Sequence, residues 1–122
     1  MINLFVYGTL RKGGSNHYYM AESRLLRQAY CLRGYVLLNY HDMYPFMIKA
    51  SAKEEVTGDV YQVDEATLAE LNLLEDVENK LYKLAWLPDE GFYTYLKYEQ
   101  DPEGMPRVAG GDWLAYLENL TS

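Results

Sequence analysis

An apolar run from Ile2 to Val6 that breaks at a glycine is the strongest constraint on what this chain can fold into. Ile2, Leu4, Phe5 and Val6 suit a buried strand, and Gly8 allows a backbone bend that a residue with a side chain resists. The chain continues Thr9-Leu10-Arg11-Lys12-Gly13-Gly14-Ser15-Asn16, so a strand is expected to run into a glycine-rich loop with exposed N–H groups. Such a loop can cradle a phosphate or hold the oxygen of a carbonyl under attack, because both need several donors aimed at one point. A turn without chemistry is the plain alternative for this stretch alone.

Gly8 to Ser15 spells G-x-x-x-x-G-G-S, with Gly14 where a P-loop carries its lysine. Without that cation, and with no acidic metal-binding strand downstream, a nucleotide site is not expected. Eleven basic against eighteen acidic residues give a net charge of -7. That balance argues against a general binder of nucleic acid or anionic membrane and leaves Arg11 and Lys12 as at most a local patch. The 122 residues suit one domain, 1–122, able to bury about two-thirds of its unfolded surface. The first residues fall short of a signal peptide's apolar length, and no run approaches the roughly 20 apolar residues of a membrane span, so a soluble cytoplasmic protein is expected. Cys31 is the single cysteine, which rules out an internal disulfide or a cysteine zinc site and suggests a small buried hydrophobe. Thirteen tyrosines offer rings for packing and hydroxyls for pockets.

Along the chain, Asn16 is placed to cap a short helix through about Ala21, and Leu25 to Leu38 reads as extended structure interrupted at Gly34. Asn39 to Pro45 breaks the pattern before the short run Phe46-Met47-Ile48. His17 and His41 are isolated and lack metal-ligand spacing, so surface or hydrogen-bonded roles are expected and no metal site. Val56 to Val63 reads as a strand stopped by Asp64, a suitable N-cap for a helix over Ala66–Glu75. Leu81 to Leu87 and Phe92 to Glu99 form a hairpin through Pro88-Asp89-Glu90-Gly91. A loop through Asp101, Pro102, Gly104 and Pro106 leads to Asp112, the cap of a last helix whose Trp113, Leu117 and Leu120 recur at helical spacing. Trp113 is expected to anchor that helix.

The helix after Asp64 carries the most informative residue. At roughly 100° per residue, Leu68, Leu71 and Glu75 share one stripe and Glu70 points the opposite way. A carboxylate beside an apolar core loses hydration, which raises its pKa towards the range of a useful general base or acid. Alternatively, the helix ends near Leu74 and Glu75 reaches water. Periodicity leaves both open.

Phe5-Val6-Tyr7-Gly8-Thr9-Leu10-Arg11, Asn16-His17, Tyr44-Pro45, Gly58-Asp59-Val60-Tyr61, Leu71-Asn72-x-Leu74-Glu75, Leu81-Tyr82 and Gly111-Asp112-Trp113-Leu114, taken in order, resemble the gamma-glutamylcyclotransferase-like family. The likeness spans nearly the whole chain and extends to the compact bacterial members and to gamma-glutamylamine cyclotransferase. It implies an α+β fold in which a small, strongly curved mixed sheet or barrel carries a few short helices. It also implies that a gamma-glutamyl compound cyclises to 5-oxoproline and releases an amine without a cofactor. The family's catalytic glutamate falls on Glu75, and its Tyr-Gly-Ser/Thr-Leu loop on Tyr7, Gly8, Thr9 and Leu10. Tyr82 and Tyr98 are candidate pocket residues. Asn72, Asp76 and Lys83 depart from the family pattern. A non-catalytic metabolite-binding or protein-interaction module on the same scaffold is the second reading. The expected partner is a small gamma-glutamyl metabolite, not nucleic acid or membrane, and the oligomeric state is left open.

Overall fold

The computed structural model describes residues 1–99 and 104–120. Strand β1 (Ile2–Val6) lies at the centre of a five-stranded sheet. It pairs antiparallel with β5 (Glu55–Val63), from Ile2↔Val63 to Val6↔Asp59, and parallel with β7 (Phe92–Lys97) at Leu4↔Tyr93 and Phe5↔Thr94. With β2 (Arg24–Arg33) and β6 (Tyr82–Leu87) on the edges, the order is β2-β5-β1-β7-β6. A separate antiparallel hairpin, β3 (Tyr35–Tyr40) and β4 (Tyr44–Lys49), packs against it.

The apolar run Leu4-Phe5-Val6 in β1 follows from burial on both faces. Leu4 and Val6 join Phe46, Tyr61, Val63 and Leu71 in one core cluster, while Phe5 and Tyr7 join Val56, Val60, Phe92 and Trp113 in the other. Each such large apolar side chain contributes about 1.5–3 kcal/mol on burial, so an alternating strand could not serve here. Register shifts in β2 between Leu25 and Tyr30 mark bulges, which bend a strand and curve its sheet.

Two helices flank the strands. Asp64 accepts a hydrogen bond from the Thr67 amide at 2.7 Å and starts α1 (Glu65–Leu74). Asp112 does the same for the Ala115 amide at 3.1 Å and starts α2 (Trp113–Leu120). Trp113 is fully buried and anchors α2, while Leu120, the last residue of that helix, is half exposed. Among the described residues no helix is long and apolar enough to cross a membrane. Asp101 and Pro102 of the expected loop lie outside the described residues.

Several local expectations are corrected. His17–Met20 is a 3-10 turn, and Asn16 does not cap it with its side chain; the carboxamide bonds to Thr9 instead. The break at Asn39–Pro45 is narrower than expected. Asn39↔Pro45 and Tyr40↔Tyr44 are paired, and the reversal needs only His41, Asp42 and Met43, with left-handed φ at the first two. Cys31 is exposed, since strand alternation turns neighbouring Leu32 into the core. Arg11 is a buried cation rather than part of a surface patch.

Candidate active site

The glycine-rich loop is knitted together through its carbonyls. Gly8 O accepts from the Arg11 amide at 3.1 Å, Thr9 O from the Asn16 amide at 2.9 Å, and Arg11 O from the Gly14 amide at 2.7 Å. No described group accepts a hydrogen bond from the amides of Gly8, Thr9 or Leu10, and all three residues line a cavity of about 490 Å³. Gly8 is required for space rather than for an unusual φ. A Cβ there would lie 2.8 Å from Pro45 Cγ, and Pro45 forms the facing wall. Gly14 is needed because a Cβ would strike the Thr9 carbonyl that organises the turn.

The loop is fastened from behind. Arg11 Nη1 donates to Asp112 Oδ1 at 2.8 Å, and its Nε lies 3.8 Å from Asp59 Oδ1. Asp59 also accepts from the amides of Lys12 and Ala29, each at 3.0 Å. One buried cation between two carboxylates therefore ties the loop to β5 and to the start of α2. Net charge concealed this role, since the lock joins residues far apart in the sequence.

Glu75 enters the cavity from the end of α1. The helix stops at Leu74, as one sequence reading held, yet the Glu75 amide still bonds to Leu71 O at 2.8 Å. The residue therefore stays in phase with Leu71, and its side chain lines the cavity. Burial pushes its carboxyl up to about 7 from an ordinary 4.5. No described donor bonds to it, so nothing offsets the lost hydration.

Tyrosines surround it. Tyr7 Oη donates to Tyr95 O at 2.5 Å, Tyr82 Oη to Pro45 O at 2.7 Å, and Tyr95 Oη to Asn72 Oδ1 at 2.6 Å. Burial raises all three phenol pKa values, and the Glu75 charge raises them further. They remain neutral, and their hydroxyl protons are already committed to other groups. Glu75 is thus the group in this wall shifted to titrate near neutral pH. The Thr9 hydroxyl accepts from Asn16 Nδ2 at 3.0 Å, and no described base receives its proton.

Tyr7, Gly8, Thr9, Leu10, Glu75 and Tyr82 meet at one cavity. Tyr98 does not join them: it lies beyond the end of β7, 45% exposed beneath Lys80. Tyr95 takes the place expected of it, and β7 alone could not reveal which tyrosine faces inward. What separates the two is where β7 ends: Tyr95 lies within the strand and Tyr98 past its last residue, Lys97. Ser15, Met43 and Tyr44 also line the cavity without having been singled out for it. Among the described residues no cluster of three or more histidine, cysteine or acidic side chains is arranged to hold a metal ion.

Residues 4–115 match the model of the family described as gamma-glutamyl cyclotransferase, AIG2-like. The chain belongs to that family. It is 47% identical over 110 residues, covering 90% of this chain and 93% of the other, to a Vibrio cholerae serotype O1 protein with a provisional gamma-glutamylcyclotransferase assignment. It is 41% identical over 124 residues to a Niallia circulans protein named gamma-L-glutamyl-butirosin B gamma-glutamyl cyclotransferase, covering 95% of this chain and 78% of that one. A crystal structure of a mouse AIG2-like protein superposes with a TM-score of 0.72 at 26% identity, covering 88% of this chain and 86% of that one.

Proposed function

We propose that the protein is a gamma-glutamyl cyclotransferase. The α-amine of a gamma-glutamyl compound attacks its own side-chain carbonyl, forming a C–N bond that closes 5-oxoproline. The original amide C–N bond then breaks and an amine departs. Glu75 takes the proton from the α-ammonium and delivers it to the leaving nitrogen. Raised to about 7, Glu75 is a stronger base than an ordinary glutamate, which brings it nearer to the α-ammonium it must deprotonate. General acid–base catalysis of this kind supplies on the order of a hundred- to ten-thousand-fold. The open amides of Gly8, Thr9 and Leu10 suit the oxyanion of the tetrahedral intermediate. The tethered nucleophile removes the need to recruit a second reactant.

The substrate's α-carboxylate falls to neutral donors, because the described cavity wall holds no lysine, arginine or histidine. The Ser15 hydroxyl and the second N–H of the Asn16 carboxamide are available there. The observation that carries this reading is an unpartnered, desolvated carboxylate in one cavity with a loop of undonated amides. It favours catalysis over a binding module, because a carboxylate raised to exchange a proton near neutral pH is what a general acid–base requires, whereas holding an ammonium needs only a fixed charge.

The test is to incubate wild type, Glu75→Gln and Glu70→Gln with gamma-glutamyl amines, dipeptides and glutathione, and to measure 5-oxoproline by mass spectrometry. Wild type and Glu70→Gln should form it, and Glu75→Gln should lose at least about a hundredfold while keeping its circular dichroism spectrum. Wild-type turnover in Glu75→Gln would sink the assignment.

A further inference from the structure

The cyclisation leaves one acidic residue in the cavity wall without a task. Asp76 follows Glu75 and lines the same cavity. Its φ of +53° is the left-handed position that closes α1, with the Asp76 amide donating to Leu73 O and the Val77 amide to Asn72 O, so the helix ending fixes the residue at this point of the wall. It stands just past the last turn of α1, where free carbonyls concentrate negative charge and no basic residue offsets it. It also adjoins a second carboxylate. Asn79 Nδ2 donates to Asp76 Oδ1 at 2.7 Å, which holds the side chain without neutralising it.

The remainder of the wall gives that charge a meaning. Glu75 and Asp76 are the only charged side chains among the described lining residues. The nearest basic residue along the chain, Lys80, lies over the Tyr98 ring and is not part of the wall. Met43 and Leu73 line the cavity and are 64% and 76% exposed, so they form an apolar rim on which methylene groups can lie. The glutamyl part of a substrate is itself a zwitterion, and Glu75 takes its ammonium. The field of Asp76 and of the α1 C-terminus therefore acts on whatever the gamma-amide carries.

Resting on the cyclotransferase reading, we propose that Asp76 is a specificity-determining residue that selects gamma-glutamyl amides whose departing amine bears a second, cationic group on a short apolar chain. It rejects departing amines that bear a carboxylate. The apolar rim carries the chain, Asp76 meets the distal cation, and a distal carboxylate finds no positive partner in the wall.

Three amides of equal length test this: the gamma-glutamyl amides of 1,4-diaminobutane, n-butylamine and 4-aminobutanoate. In wild type, kcat/KM should fall in that order. In Asp76→Asn the ratio between the cationic and anionic amides should shrink by on the order of five- to fiftyfold. Raising the salt concentration should shrink it in wild type as well. Asparagine and glycine both tolerate the Asp76 φ, so Asp76→Gly is a second variant expected to fold and to show the same collapse. An unchanged ratio in both variants, or a wild type that prefers the anionic amide, overturns the proposal. If no amide yields 5-oxoproline, the cyclotransferase reading fails. The role of Asp76 is then decided by calorimetric affinities of wild type and Asp76→Asn for the same three compounds: the same order and the same collapse support it, and equal affinities overturn it.

Discussion

Asp59 and Glu75 are carboxylates withdrawn from water on opposite sides of one loop, and the protein treats them in opposite ways. Asp59 is 1% exposed and accepts hydrogen bonds from the Lys12 and Ala29 amides, with Arg11 beside it. Glu75 accepts none from any described residue, and burial lifts it to about 7. Burial alone therefore does not make a base. A buried acid with all its partners is a structural joint, whereas one left without partners is available to a proton and to a substrate's ammonium. The loop between them is used twice: Arg11 and Lys12 face the joint, and Gly8 to Leu10 face the cavity.

If the cavity side depends on backbone donors, Thr9→Pro should cost about a hundred- to thousandfold in kcat, because it deletes one N–H from the proposed oxyanion site. Thr9→Ala keeps that N–H and should lose only a few-fold through the bond to Asn16. Folding of both is checked by thermal melting, and a covalent glutamyl adduct on Thr9, sought by mass spectrometry, would replace this account with hydroxyl nucleophilic catalysis.

Asp59→Asn should instead act on stability. Its carboxamide cannot accept from both amides and still satisfy Arg11, so about 3 kcal/mol should be lost, seen as a midpoint shift in urea without a change in slope. Turnover per folded molecule should fall less than tenfold. A variant of full stability that has lost its turnover would erase the distinction between the two sides.

The smallest effect sharpens the contrast most. Because the folded-state pKa of Glu75 is raised from 4.5 to about 7, the native state holds more protons than the unfolded state between those values. Stability therefore declines as pH rises through that window. Glu75→Gln removes the cost of burying the charge, so it should be more stable than wild type at pH 8 by ~1–3 kcal/mol, a range discounted for solvent reaching the carboxylate through the cavity. The advantage should vanish towards pH 4.5. Equal stability at both pH values would mean that Glu75 is solvated.

Much of this arrangement is legible from local sequence. The Ile2–Val6 run, the Asp64 and Asp112 caps and the Pro88–Gly91 turn each depend on residues within a few positions of one another. Glu75 could be placed by counting from Leu68 and Leu71, though counting alone did not decide whether it met the core or water. The less legible parts depend on contacts between distant segments. Gly8 is a glycine because of Pro45, and Arg11 is buried because Asp59 and Asp112 arrive from other elements. Tyr95 lies within β7 and lines the cavity, whereas Tyr98 lies past the end of that strand and outside the cavity wall. Asn72, a departure from the family pattern, keeps an acceptor oxygen for the Tyr95 hydroxyl.

The central claim is that Glu75 is an unpartnered acid poised near neutrality in the resting protein. A carbon-13 NMR titration of its side-chain carboxyl, assigned by the signal missing from Glu75→Gln, measures this directly. A midpoint of about 7 is the predicted result, and a midpoint at or below about 4.5, the ordinary glutamate range, would contradict it.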